Sequence, residues 1–395
     1  MISNKAKSIS PSPTLAIDSK FKEMKANGVD VVGFGAGEPD FNTPKHICDA
    51  AIRAISEGKT RYTPAAGTLP LRKAICEKFK KDNGLSYEPE NIVVSNGAKH
   101  SLWNIFTVLC NPGDEVIIPA PFWVSYPEMV KMGDGVPVIL ETKEENGFIA
   151  TAEEFEKLIT DKTKAIVLNS PSNPTGMVYK EDELRKIADM AVKHNIFVVS
   201  DEIYEHLTYE GKAVCFASFN DQIKDLTIVV NGVSKTYAMT GWRIGFTASN
   251  KTIAKAMSSL QSHGTSNPNS IAQEATIAAL EGGLECVEEM KKEFVKRRDF
   301  MVETINSIDG VSCLKPEGAF YIMMNIKKLI GNTYCGHKIT SADDFAEKLL
   351  DVAKVAVVPG TGFAAPDYVR WSYATSMENC AEGLNRFKKF LNYEF

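Results

Sequence analysis

Seven short apolar runs rich in valine and isoleucine follow one another between about residues 90 and 250. They are Ile92–Val94, Glu115–Ile118, Val136–Leu140, Ala165–Leu168, Ile196–Val199, Leu226–Val230 and Ile244–Ala248. Amphipathic stretches separate several of them; one is Lys180–His194, opened by "YKEDEL". A strand period that keeps giving way to a helix period predicts an α/β domain with a largely parallel sheet. Residues 270–308, rich in Ala, Glu, Lys and Met, read as long helices broken at Gly282-Gly283. Beyond them, "GAFYIMMNI" (318–326), a helix around Asp343–Val352, "AVVPGTGFA" (356–364) and "YVRWSYA" (368–374) suggest a smaller α+β domain. The first forty-odd residues form an arm and a helix without a core of their own, expected to pack on the smaller domain or on a partner subunit. The expected boundaries are 1–45 for the arm and part of the small domain, 46–285 for the large domain and 286–395 for the rest of the small one.

At 395 residues, two domains are the natural expectation. The net charge of −5 argues against a nucleic-acid partner. No run approaches eighteen apolar residues, so no membrane span is expected, and "MISNKAKSIS" lacks the apolar core of a signal peptide. Eight scattered cysteines without a CxxC pair fit reduced thiols in a cytoplasm better than a disulfide framework or a zinc site. The six histidines also lack ligand spacing, so no metal chemistry is expected.

Ligands of open α/β sheets bind beyond the carboxyl ends of the strands. Three runs end there in polar residues: "AIVLNSPSNPTG" in Asn169 and Asn173, "IFVVSDEIYE" in Asp201 and Tyr204, "LTIVVNGVSK" in Lys235. Taken singly, these are a turn asparagine, a helix cap, a core tyrosine and a surface lysine. An amide, a carboxylate, a phenol and an amine on one edge are the set that pyridoxal 5′-phosphate needs. The amine forms a Schiff base with the aldehyde, and the carboxylate keeps the pyridine nitrogen protonated so that the ring draws electrons. The phenol and the amide bond the ring oxygen. Arg243, with the amides of the Gly97-Ala98 turn in "SNGAKHSLWNIF", suits the phosphate.

At this point the chain resembles the fold-type I, class I aminotransferases that depend on pyridoxal 5′-phosphate, closest to the bacterial aspartate aminotransferase branch. The resemblance runs through "SPSPTLAI", "GAGEPDFNTP", "RYTPAAGTLPLR", "NPGDEVIIPAPFWVSYPEMV", "NSPSNPTG", "VSDEIYEHLTYEG", "NGVSKTYAMTGWRIGF" and "VAVVPGTGFA…VRWSYATS". It implies Lys235 as the Schiff-base lysine, Asp201 as the pyridinium partner, Asn173 and Tyr204 on the ring oxygen, and Trp123 stacked on the ring. It implies Arg243, Gly97, Ala98 and Ser234 at the phosphate, with Tyr62 reaching across from the other subunit of a homodimer. Arg370 would grip the substrate α-carboxylate, with the Gly37 backbone closing over it. Lys99, helped by Thr14, would pair with a distal carboxylate. Some relatives carry a hydroxyl three residues before the lysine; here that residue is Gly232, and Ser234 takes its place as the expected phosphate ligand.

The implied reaction is aspartate plus 2-oxoglutarate to oxaloacetate plus glutamate, by a ping-pong mechanism. Transamination of aromatic, alanine or prephenate substrates and a carbon–sulfur β-lyase remain alternatives on the same scaffold. Ser10 stands where prephenate-using relatives often carry a basic residue, which weighs against prephenate. "VVGFGAGEPD" fails as a dinucleotide fingerprint because Glu38 and Pro39 stand where a packed helix should run. Residues 1–30 are too few for the DNA-binding domain that accompanies aminotransferase-like effector modules.

Overall fold

A computed structural model describes residues 2–10 and 13–394, and the side chains over that span except those at 13–16 and 18. All seven apolar runs are strands of one sheet: β1 Ile92–Ser95, β2 Glu115–Ala120, β3 Val136–Glu141, β4 Thr163–Asn169, β5 Phe197–Asp201, β6 Thr227–Gly232 and β7 Gly245–Ala248. Their spatial order is β1-β7-β6-β5-β4-β2-β3. Every neighbouring pair is parallel except those of β7, which runs antiparallel to β1 and β6. Strands β1, β6 and β7 are buried along their whole length, as their unbroken apolar character demands. At the edge, β3 leaves Val136 and Ile139 exposed and carries Pro137, whose missing N–H is tolerated there.

Helices cover both faces. Ala98–Leu109, Ser125–Met132 and Lys251–Gly264 bury one face, with Leu102, Phe106, Tyr126 and Met257 in its core. Glu181–His194 covers the other, with Leu184, Ile187 and Ala191 against Ile166 and Val198. This last helix opens on Glu181, Asp182 and Glu183 and closes on Lys193 and His194, charges that oppose its dipole at both ends.

A second, antiparallel sheet has the order Val358–Pro359, Tyr368–Ser372, Tyr321–Asn325, Ser312–Cys313. It is flanked by the helices Glu285–Asn306, Ala342–Ala353 and Met377–Leu391. Arg370 lies in a central strand of this sheet, opposite Met323 on one side and Val358 on the other. The short strand Val32–Gly33 pairs in parallel with Val355–Ala356, and the helix Pro13–Ala26 packs on that region, with Lys20 bonded to Asp351. The first residues of the arm lie elsewhere. Lys5 bonds Asp134 and the Ser10 amide donates to Glu128, both on or beside the helix Ser125–Met132 of the large sheet. Among the described residues, no helix is long and apolar enough to cross a membrane.

Candidate active site

The carboxyl ends of β4, β5 and β6 share one edge. Asn169 and Asp201 are direct neighbours in the β4–β5 register, and Lys235 follows three residues after β6 ends. Asn169 ties the edge together: its Nδ2 donates to the Asp201 carbonyl (3.0 Å) and its Oδ1 accepts from the Asn173 amide (2.8 Å). Asn173 Oδ1 in turn accepts from Arg370 Nη1 (2.9 Å), so the second sheet is joined to the first across the cleft.

A cavity of about 600 Å³ opens above this edge. It is lined by Gly37, Ala98, Lys99, Trp123, Asn173, Asp201, Tyr204, Ser234, Lys235, Arg243 and Arg370. Gly97 adjoins it under Arg243. Tyr62 does not line it and is 91% exposed in this single chain. The Thr14 side chain lies outside the described residues. A larger groove of about 860 Å³ between Phe41, Tyr237 and the helix Glu285–Asn306 contains none of the expected residues.

The electrostatics follow from burial. Asp201 is 4% exposed, and burial raises its carboxyl to about 6 against the hydrogen bonds of Tyr126 and Ile203 and the Lys235 charge, which hold it down. Burial brings Lys235 down to about 8, with Arg243 and Arg370 adding to the fall and Glu38 and Asp201 opposing it. Its Nζ donates to the Gly37 carbonyl. Lys99 is lowered by burial and by Arg243; its ammonium lies 4.8 Å from the Trp123 ring centroid. Burial holds the Tyr204 phenol well above its ordinary value, so it stays protonated, and its oxygen lies 2.9 Å from that of Tyr321.

Two glycines make the phosphate end. Gly97 has φ +86°, and a Cβ there would sit 2.2 Å from Arg243 Nη2, so only glycine lets the guanidinium lie over the turn. Arg243 takes a left-handed backbone itself (φ 57°) and donates to the carbonyls of Thr240 (2.7 Å) and Asn96 (3.3 Å). A Cβ on Gly232 would meet the Gly245 Cα and the Ile244 carbonyl at 3.0 Å. A side chain at 232 would be tight against that backbone, whereas Ser234, 7% exposed, lines the cavity.

The donor set fits pyridoxal 5′-phosphate. A buried carboxylate waits for a cation, a lysine with lowered basicity waits for a carbonyl, and a guanidinium beside the start of the helix Ala98–Leu109 suits a dianion. Arg370, 3% exposed, donates to Asn173 and Gly35 but leaves its buried Nε without a partner among the described residues.

Sequence reasoning missed two phenols, Tyr126 and Tyr321. Tyr126 Oη donates to Asp201 Oδ2 at 2.7 Å. Its spacing of three from Trp123 puts the two on one face of a helical turn, a signal that was available. Tyr321 packs its ring 4.4 Å from the Arg370 guanidinium. Nothing in "GAFYIMMNI" separates it from its core neighbours. Elsewhere, Asp82, Glu205 and His206 bring ligand atoms within 4.8 Å of one another. The Lys78 ammonium bonds Glu205, which makes the cluster an ion-pair network.

Residues 29–387 match the family model described as aminotransferase class I and II. The aspartate aminotransferase of Bacillus subtilis (strain 168) is 50% identical over 391 residues, covering 99% of this chain and 98% of that one. A probable aspartate/prephenate aminotransferase of Aquifex aeolicus (strain VF5) is 47% identical, covering 99% of this chain and 98% of its own. Among solved structures, the aspartate aminotransferase of Rhizobium meliloti superimposes with a TM-score of 0.96 at 42% identity, covering 100% of this chain and 99% of that one. The Thermus thermophilus aspartate aminotransferase with maleate gives 0.94 at 44% identity, covering 99% and 100%.

Proposed function

The chain belongs to the class I and II aminotransferases and is a transaminase, and from that premise we propose that it uses pyridoxal 5′-phosphate to exchange amino groups between aspartate and 2-oxoglutarate. The observation that carries the substrate reading is that, besides Lys235, Arg243 and the exposed Lys22, one cavity holds two further cations, Arg370 and Lys99. Arg370 suits an α-carboxylate and Lys99 a distal one. The names of the relatives support it.

In this reading Asp201 faces the ring nitrogen, Asn173 and Tyr204 the ring oxygen, and Trp123 a ring face. Arg243, Ser234 and the Gly97-Ala98 turn hold the phosphate. The bound cofactor supplies an electrophilic carbon and a sink for electrons released at the substrate α-carbon. Arg370 and Lys99 fix the donor at both ends, which orients the α-C–H bond toward Lys235. Lys235 is brought down by burial to a basicity of about 8, toward the range in which an amine can serve as a base near neutral pH. It takes the α-proton from the donor and returns one to the α-carbon of the acceptor. Aspartate and 2-oxoglutarate present the same two carboxylates to the same two cations. The first product therefore leaves before the second substrate enters, the ping-pong order.

A twofold homodimer completes the reading, with Tyr62 serving the partner's phosphate site. Ile52 and Ile55 on the helix Lys45–Ser56, Tyr62 after it and Leu69 at the start of the next helix are exposed, apolar side chains that a second copy would cover. The cytoplasm is the compartment in which the eight free cysteines would stay reduced. Residues 46–285 would form the large domain, and residues 286–395 with the segment before 46 the small one.

The deciding experiment is a panel of amino donors with 2-oxoglutarate on the wild type and on Lys99→Ala. Truncating one partner of a desolvated charge pair costs about 2–5 kcal/mol, or on the order of thirty- to several-thousand-fold. The loss should fall on aspartate and glutamate and spare alanine and phenylalanine. Equal loss on all donors would reduce Lys99 to a phosphate ligand, and pyruvate with ammonia from cysteine conjugates would favour the lyase. Prephenate belongs in the panel as an acceptor, because the Aquifex relative's name includes it.

A further inference from the structure

We infer that Tyr126 is a positioning residue for the cofactor ring, holding with one side chain both the carboxylate at the ring nitrogen and the indole on the ring face; this rests on the cofactor reading above. Tyr126 lies at the start of the helix Ser125–Met132 and is 2% exposed. Its hydroxyl donates to Asp201 Oδ2 at 2.7 Å, while the Ile203 amide donates to Oδ1 at 3.2 Å. One donor on each oxygen fixes the rotation of the carboxylate. Its ring meets Trp123 edge-on, with centroids 5.3 Å apart and planes at 86°. An edge-to-face contact of this kind sets the tilt of the indole as well as its distance.

The phenol suits this task because it never ionises in the working range: burial, and then the Asp201 charge, keep it far up. It therefore donates at every pH at which the enzyme works. A tyrosine that merely filled the core would tolerate phenylalanine, since the ring would remain and only the hydroxyl would go.

The test uses the full chain stripped of cofactor, as wild type, Tyr126→Phe, Asp201→Asn and the double variant. Pyridoxal 5′-phosphate is titrated in and followed by its visible absorbance and circular dichroism. A hydrogen bond to a buried charge corresponds to about a tenfold to hundredfold rise in dissociation constant for Tyr126→Phe, with a weakened visible dichroic band. In the Asp201→Asn background the same change should cost less than about threefold, because the charged acceptor is gone. Tyr126→His, which keeps a donor, should regain part of the affinity, a recovery that a purely structural role would not produce. Equal affinities for wild type and Tyr126→Phe, or the same loss in both backgrounds, overturn the inference. A wild type that takes up no cofactor overturns the cofactor reading and this inference with it, and is distinguished by the wild-type titration alone.

Discussion

Arg370→Lys keeps the charge and discards the geometry. The guanidinium donates to Asn173 Oδ1 (2.9 Å) and the Gly35 carbonyl (3.0 Å), and lies 4.4 Å from the Tyr321 ring centroid and 5.0 Å from that of Phe363. A lysine ammonium has three N–H donors but all on one nitrogen, so it cannot reproduce the planar fork that reaches Asn173, Gly35 and a carboxylate gripped at two points. Replacing a bidentate grip by a single contact removes one charge-assisted hydrogen bond, about 1.5–3 kcal/mol. Losing the planar stacking on two rings removes about 0.5–2 kcal/mol more. Together, about 2–5 kcal/mol corresponds to a fall in kcat/KM of on the order of thirty- to several-thousand-fold. Every amino acid carries the α-carboxylate, so aspartate, alanine and phenylalanine should lose activity alike, within about threefold. The assay is kcat/KM for each donor in the first half-reaction, with the cofactor spectrum as a control for site integrity. A loss confined to aspartate and glutamate, or a loss below about fivefold, would refute this role for Arg370.

Four further outcomes are expected. Borohydride reduction of the yellow holoenzyme should leave the cofactor attached at Lys235 by peptide mapping. Lys235→Ala should bind cofactor yet lose turnover by several orders of magnitude on the order seen for lost covalent and base catalysis, with partial rescue by small amines. Lys78→Met should destabilise the fold by about 1.5–3 kcal/mol in urea at pH 7, because the buried Glu205 carboxylate loses its ammonium partner and keeps only the Asn83 and Asn231 amides and the neighbouring His206, and adding Glu205→Gln should recover most of it. Burial pushes Glu205 up, but the charges of Lys78 and His206 and the hydrogen bonds of Lys78 and Asn83 bring it from 4.5 down to about 2. Its stabilisation is therefore present above pH 4.5 and lost as pH falls toward 2, and the double variant should flatten that part of the profile. Finally, Tyr62→Ala and Lys235→Ala chains, unfolded together and refolded, should show more activity than either parent, since a mixed dimer would hold one intact site; no gain would argue against a shared site.

The seven strands were legible because burial on both faces forces unbroken runs of β-branched residues such as Ile228-Val229-Val230. The direction of β7 was not read out, although only a 3₁₀ turn, Thr240–Trp242, lies between it and β6, too little for a parallel crossover. The polar strand ends Asn169, Asp201 and Lys235 stood out against their apolar runs. Tyr321 did not, because an aromatic in an apolar strand announces burial and nothing more; its contact with Arg370 depends on how two sheets face each other. Tyr126 was readable only after Trp123 had been given a place. In the proposed dimer, which residues oppose the exposed Tyr62 would depend on a second chain, and no pattern within one chain encodes that.

The pairing of Val32 with Val355 also sets a schedule for biosynthesis. The seven large-sheet strands all leave the ribosome within one stretch, 92–248, and can pair as they emerge. The strand Val32–Gly33 must wait for a partner about 320 residues later, which at 5–20 residues per second is about 15–65 seconds. Through that interval the helix Pro13–Ala26 lacks the strands it finally packs on. The large sheet thus becomes the platform on which the two ends of the chain later meet, and the cleft between the sheets closes last.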